Sequence, residues 1–244
     1  MYNKIEIRGL SKRFGDKIVL DNLDLDIEAN KSIVILGRSG TGKSVLVKNI
    51  LHLIEPDSGT IKIDGEDTTN ISESRQFKLM NKFGFLFQGG ALFDSMTVWE
   101  NIAFKLINNE GYSRDKAKKI AEEKLEIVDL KKDILDLNPS ALSGGMQKRV
   151  ALARALVGNP EIIIFDEPTT GLDPITADTI NDLIIKTNKI TKATAITITH
   201  DIHSAKRISD RIVLLDEGKI KWDGNSDDLN KTTNEMLKQF IYKQ

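Results

Sequence analysis

Eight consecutive residues, Gly37-Arg38-Ser39-Gly40-Thr41-Gly42-Lys43-Ser44, fill every fixed position of the pattern G-x-x-x-x-G-K-[ST]. Glycines let the backbone curl so that successive N–H groups turn inward on phosphate oxygens. Lys43 is a point charge suited to β- and γ-phosphates, and Ser44 offers a hydroxyl to Mg²⁺. The flanks agree with that chemistry. Ser32-Ile33-Val34-Ile35-Leu36 is a short apolar run that reads as a buried strand, and Val45, Leu46, Ile50, Leu51 and Ile54 recur at helical spacing. The loop therefore lies between a strand and a helix whose positive dipole end starts near Lys43. A glycine-rich turn that binds nothing has no need of that setting.

A second group of chemical residues lies further on. Asp166-Glu167 directly follows the apolar run Ile162-Ile163-Ile164-Phe165. A carboxylate there can hold Mg²⁺, which prefers few protein carboxylates and several waters. Its neighbour can orient or deprotonate an attacking water. Alone, the pair reads equally well as two acids capping a strand-to-loop turn. Ser143-Gly144-Gly145 precedes a helical pattern and is a second anion-binding helix start, or simply a capped helix. Lys148-Arg149 reads as a solvated face. His200 stands at the carboxyl end of a strand over 194–199, and Gln88-Gly89-Gly90 is a hinge after the apolar stretch 83–87.

The elements that must position these groups alternate. Ile5/Ile7 and Ile18 to Ile27 read as two or three amphipathic strands, with Phe14 between them. Thr60 to Asp64-Gly65 reads as a strand ending in an Asp-Gly turn. From about 97 to 157 the pattern is helical: Ser113 is a candidate N-cap, Ala117, Ile120, Ala121, Leu125 and Val128 form one stripe, and a helix over 146–157 is closed by Gly158. Asp173-Pro174 reads as an N-cap and first-turn proline, Glu217-Gly218 as a hairpin turn, and 227–242 as a final helix. Strands alternating with helices imply a mostly parallel α/β sheet, in which ligands collect at the carboxyl ends of strands.

Composition narrows the classes. The chain has 244 residues, and its 35 basic against 36 acidic side chains give a net charge of −1, so no global charge argues for nucleic acid. It has no cysteine, which excludes disulfides and Cys-type zinc sites and suits a reducing compartment. No apolar stretch is long enough to cross a bilayer, and the start of the chain has no signal-peptide core. A soluble, cytoplasmic protein is expected.

Taken in order, Gly37–Ser44, Gln88, Leu142-Ser143-Gly144-Gly145-Met146, Ile162–Glu167, Gly171-Leu172-Asp173 and His200 resemble the ordered motifs of the ATP-hydrolysing subunit of ABC transporters, over nearly the whole chain. The resemblance implies a P-loop NTPase, RecA-like parallel-sheet core (about 1–90 and 158–222) with an antiparallel β subdomain, an inserted α-helical subdomain (about 91–157) and a C-terminal helix (about 227–242), all in one domain. It implies ATP and Mg²⁺ as cofactors. ATP would be held by Gly37, Arg38, Ser39, Gly40, Thr41, Gly42, Lys43 and Ser44, and Mg²⁺ by Ser44, Gln88 and Asp166. Glu167, His200, Lys43 and Gln88 would be catalytic. Phe14 stands where the family places an adenine-stacking aromatic, commonly Tyr, and still offers a π face. Ser143, Gly144, Gly145 and Asp173 would complete the site of a second copy, so that ATP bridges a homodimer. Met146 stands where the family often has Gln, with Gln147 next.

The stretch Gln88 to Val98 (Gln-Gly-Gly-Ala-Leu-Phe-Asp-Ser-Met-Thr-Val) further resembles ATPases of the Mla/Mce-type lipid transporters. That implies an integral-membrane permease and an MCE-type lipid-binding subunit as partners, phospholipid or other hydrophobic cargo, and a peripheral location on the inner face of the cell membrane. An ABC ATPase for a different substrate is the competing reading, and a soluble non-transport ABC ATPase a weaker one. A GTP switch is set aside because Asn188-Lys189-Ile190-Thr191 lacks the final Asp of the guanine-reading motif. A chromosome-type ATPase would need a long coiled coil between the phosphate loop and Ser143, and no sustained heptads occur there.

Overall fold

The computed structural model describes residues 2–232 together with residues 237 and 238. The chain divides into two compact units, Met1–Met80 with Thr194–Gln244, and Asn81–Ala193.

The first unit runs through β1 (Asn3–Phe14), β2 (Lys17–Glu28), β3 (Ser32–Leu36), α1 (Lys43–Ile50), β4 (Ser58–Ile63), β5 (Glu66–Asp67) and α2 (Glu73–Met80). It resumes with β8 (Thr194–Thr199), α7 (Ile202–Ile208), β9 (Arg211–Asp216) and β10 (Lys219–Asn225). β1 and β2 are two long antiparallel strands, and the order β2-β1-β4-β5 makes one antiparallel sheet. Alternation sends Ile5, Ile7, Leu20, Leu23, Leu25 and Ile27 into the core. Asp64-Gly65 turns β4 into β5 with both residues at positive φ, 54° and 78°, the geometry of a tight hairpin. β3 lies between β8 and β9, parallel to both, and is buried at all five positions, as strands covered on two faces must be. Glu217-Gly218, again both at positive φ, folds β10 back antiparallel on β9.

α1 stops at Ile50, short of the helical spacing that continues to Ile54. His52 adopts left-handed backbone (φ 53°), its N–H donates to the Asn49 carbonyl (3.0 Å), and the Leu53 N–H donates to the Lys48 carbonyl (2.9 Å). This is the paired closure usually built on glycine, here on a histidine.

The second unit contains β6 (Phe83–Leu86), α3 (Val98–Asn108), α4 (Arg114–Ile127), α5 (Gly144–Ala155), β7 (Ile162–Asp166) and α6 (Pro174–Thr191). β6 and β7 pair in parallel. The helices bury their expected stripe, including Ala117, Ala121, Leu125 and Val128. A side chain at Gly84 would collide with the Ala155 carbonyl, so the glycine inside Phe83-Gly84-Phe85 lets α5 lie close on β6. α5 begins two residues earlier than the expected 146, because Ser143 caps it. The expected final helix over 227–242 is corrected in part: Ser226–Lys231 is a 3-10 stretch, Leu237 and Lys238 are helical, and the rest lies outside the described residues. The parallel core strands and separate antiparallel sheet agree with the α/β class expected.

Candidate functional site

In the first unit, the phosphate loop leaves the end of β3 and closes around a lysine. Lys43 is only 7% exposed, and its Nζ donates to the carbonyls of Gly37 (2.6 Å) and Arg38 (2.9 Å). Thr41 Oγ1 donates to the Arg38 carbonyl (3.0 Å), tightening the same curl. Two glycines are dictated by space as well as by conformation. A Cβ at Gly37 would lie 2.5 Å from the Leu215 carbonyl oxygen, and one at Gly42, at φ 107°, would lie 2.8 Å from the Val19 carbonyl oxygen. Gly42 is also the N-cap of α1 and offers no side-chain cap, so no cap side chain competes for the first-turn amides of the helix. Ser44 is exposed in that turn.

The strand register brings His200 to the same edge. Leu36 pairs with Thr199, the Gly37 N–H donates to the Thr199 carbonyl (3.3 Å), and His200 is the next residue, exposed at the strand end. Asp201 caps α7 by accepting from the N–H groups of His203 and Ser204, which fixes the chain just after the histidine. Phe14, 52% exposed, ends β1 on the hairpin whose β2 residue Val19 abuts Gly42.

In the second unit, β6 and β7 deliver three candidates to one edge. Leu86 pairs with Phe165, so the chain continues on one side to Gln88 and on the other to Asp166-Glu167. Gln88 is exposed, and the two acids are half-buried. Glu167 holds left-handed backbone (φ 48°), which is strained for a residue with a side chain. Thr170 answers that strain locally: its Oγ1 donates to Glu167 Oε2 (2.9 Å) and its N–H to the Glu167 carbonyl (3.3 Å). Beneath this loop lies Lys148, 7% exposed, whose Nζ donates to the carbonyls of Pro168 (2.9 Å) and Thr170 (2.7 Å). Burial lowers the Lys148 pKa, with the Glu167 charge opposing. The reading of Lys148 as a solvated charge is therefore corrected. It is an internal strut, and only Arg149 remains toward the surface, donating to the Asp129 carbonyl. The signal was available in the helical spacing, since Lys148 shares a helix with the buried Ala151, Leu152 and Ala155. Arg154, equally unremarked in the sequence, donates to the carbonyls of Gly90 (2.7 Å) and Ala91 (2.8 Å) and so pins the turn after Gln88. Burial lowers its pKa as well.

The same unit joins Ser143–Gly145 to Asp173. Ser143 Oγ accepts from the Met146 N–H (3.3 Å) and leaves Ser143 and Gly144 exposed at the start of α5. A Cβ on Gly145 would lie 2.7 Å from Thr176 Cγ2. Thr176 is itself held by Asp173, whose carboxylate accepts from the Thr176 N–H (3.0 Å) and hydroxyl (2.6 Å). Those bonds hold the Asp173 carboxyl below its usual pKa. Gln147 Nε2 donates to the carbonyls of Pro139 (2.9 Å) and Leu142 (3.3 Å), fastening the approach to the motif.

A glycine loop that leaves a buried strand, grips a lysine and opens onto a helix start defines a nucleoside triphosphatase of the phosphate-loop class. The chain belongs to the ABC transporter family, whose model matches residues 20–170, and it is an ATPase cassette of that family. It is 38% identical over 237 residues, covering 97% of this chain and 68% of the relative, to the probable ribonucleotide transport ATP-binding protein mkl of Mycobacterium leprae. It is 36% identical, covering 98% of this chain and 90% of the relative, to the intermembrane phospholipid transport ATP-binding protein MlaF of Haemophilus influenzae. Among solved structures it resembles the dimeric post-hydrolysis ATP-binding cassette MJ0796 bound to ADP and Pi, with a TM-score of 0.82, 33% identity and coverage of 91% and 98% of the two chains. It also resembles cbiO1 of Clostridium perfringens, part of the ABC transporter complex cbiONQ, with a TM-score of 0.87, 28% identity and coverage of 99% and 96%.

Proposed function

We propose that this chain binds Mg-ATP, closes on it against a second copy of itself, and thereby drives a separate membrane permease that moves phospholipid or another hydrophobic molecule. The nucleotide part rests on one observation above all: residues 37–44 wrap a buried ammonium while presenting an uncapped helix start. In this reading the amides of Gly37–Ser44 and the Lys43 charge hold the phosphates, and Phe14 stacks on adenine. Ser44, Gln88 and Asp166 offer a hydroxyl, an amide carbonyl and a carboxylate, all hard oxygen donors of the kind Mg²⁺ takes. When bound, the ion neutralises charge that builds on the transferring phosphoryl group. Glu167 draws a proton from the attacking water and His200 contacts the γ-phosphate, leaving ADP and inorganic phosphate. Ser143, Gly144, Gly145 and Asp173 of the second copy close the other side and exclude water, which strengthens every charge interaction inside.

Substituting Lys43→Ala should abolish hydrolysis. Glu167→Gln should keep ATP binding, lower turnover by at least about a hundredfold, and run as a dimer on gel filtration with Mg-ATP. A monomer under those conditions, in a protein that binds ATP, overturns the ATP-bridged dimer.

The lipid cargo draws support from the similarity to MlaF over most of both chains. A relative named for glycine betaine, carnitine and choline transport, from Bacillus subtilis, is 38% identical, and one named for methionine import, from Shouchella clausii, is 37% identical. A transporter ATPase for a small polar cargo is therefore the second reading.

A further inference from the structure

Phe14 is an exposed aromatic at the very end of a strand, where a chain normally frays. The ladder between β1 and β4 ends at the pair Ser11–Ser58, three residues before it. Beyond that point β1 stays paired with β2 through Phe14 and Lys17 on one edge, and on the other edge Asp57, in the connection between α1 and β4, takes the place of β4. Its N–H donates to the Ser11 carbonyl (2.9 Å), its Oδ2 accepts from the Arg13 N–H (2.6 Å), and its Oδ1 accepts from Lys12 Nζ (2.9 Å). Lys12, on the same strand face as Phe14 by the two-residue period, places its ammonium 5.6 Å from the centre of the Phe14 ring. The Lys12 side chain is largely covered, at 16% exposure, so the ammonium is held there rather than swinging in water.

We propose that Asp57 and Lys12 are positioning residues for the nucleotide base: Asp57 fixes the end of β1 and the Lys12 ammonium, and Lys12 braces one side of the Phe14 ring so that a purine can stack on it. The inference rests on the ATP-site reading above and deepens it. Neither residue belongs to the phosphate loop, so their contribution is assigned to the base. The Asp57 carboxyl lies below its usual pKa because it accepts from Lys12 and from the Arg13 amide, so it stays a carboxylate throughout the physiological range. Stacking on an aromatic ring is tolerant of base identity, so the clamp raises affinity for purine nucleotides as a class.

The test compares ATP with inorganic tripolyphosphate, which carries the phosphates and no base, on the purified full chain with Mg²⁺. Asp57→Ala should weaken ATP binding and raise KM by about three- to tenfold, with kcat within about twofold and tripolyphosphate binding unchanged. Asp57→Asn, which keeps an acceptor for the Arg13 amide but loses the charge opposite Lys12, should fall between wild type and Asp57→Ala. It also serves if the alanine variant folds poorly, with a thermal melt to check each protein. In a Phe14→Ala background, Asp57→Ala should add no further loss. Equal loss of ATP and tripolyphosphate binding, unchanged ATP affinity in both Asp57 variants, or losses that multiply with Phe14→Ala would overturn the assignment. Failure of the wild-type chain to bind either ligand would instead overturn the ATP-site reading, and this inference with it.

Discussion

Glu167 and Lys148 show how the second unit readies a carboxylate. Left-handed backbone at Glu167 costs about 1–2 kcal/mol, and the surrounding loop must hold it there. Two carbonyls of that loop, at Pro168 and Thr170, hang on the buried Lys148 ammonium. Lys148→Met keeps the length of the side chain and removes both bonds. It should destabilise the protein by roughly 1–3 kcal/mol and lower kcat about tenfold, while ATP affinity stays within about twofold. Steady-state kinetics beside a denaturant melt checks this. A variant with unchanged kcat would reduce Lys148 to a purely structural strut. Lys148→Arg is not a conservative rescue, because a planar fork cannot place one compact charge between two carbonyls in the same space.

At the scale of elements, α1 carries the phosphate loop at one end and His52 at the other. His52 closes the helix through its backbone, its Nε2 lies 2.9 Å from Thr68 Oγ1, and its carbonyl accepts from Gln76 Nε2. Burial lowers its pKa below 6.5, with the nearby Asp67 charge pulling the other way. The unfolded chain therefore binds a proton at a higher pH than the folded one. Stability from this group is fully present above the unfolded value and falls as pH drops through it toward the folded pKa. Melts between about pH 7.5 and 5 should show that loss in the wild-type protein. In His52→Asn, a residue that tolerates the left-handed region, the slope should be shallower. Identical slopes would remove His52 from the account. The helix end α5 makes a similar point: its capping Ser143 and its interior Lys148 tie one element both to an exposed anion-type helix start and to the loop of Glu167.

For the molecule as a whole, each unit carries part of the proposed chemistry. The first holds Phe14, the phosphate loop and His200, and the second holds Gln88, Asp166, Glu167, Ser143–Gly145 and Asp173. No helix among the described residues is long and apolar enough to cross a membrane. Work on a membrane cargo, as proposed, would pass through a separate permease. Affinity isolation of the tagged full chain from detergent-solubilised membranes should recover an integral-membrane subunit, together with an MCE-type lipid-binding subunit if the cargo is lipid. Recovery of a permease with a binding protein for a small polar solute would favour the second reading. Recovery of ribosomes or nucleic acid would overturn the transport role.

The sequence by itself determined the order of the motifs and the class of the fold. A phosphate loop needs particular residue types at fixed spacing, and β3, like β7 from Ile162 to Phe165, is a short apolar run because it is buried. Asp173-Pro174 and Glu217-Gly218 were legible for the same local reason: a cap and a tight turn are chosen by the residues that form them. What the tertiary structure decided was everything set by neighbours distant in sequence. Lys148 became an internal strut only because a loop twenty-two positions away offers it carbonyls. Helix α1 ended at Ile50 because His52 turned left-handed, and the end of β1 was tied by Asp57 from forty-four positions away. Local propensity carries no record of such partners, because a charge is read as solvated until the fold supplies the group that takes it out of water.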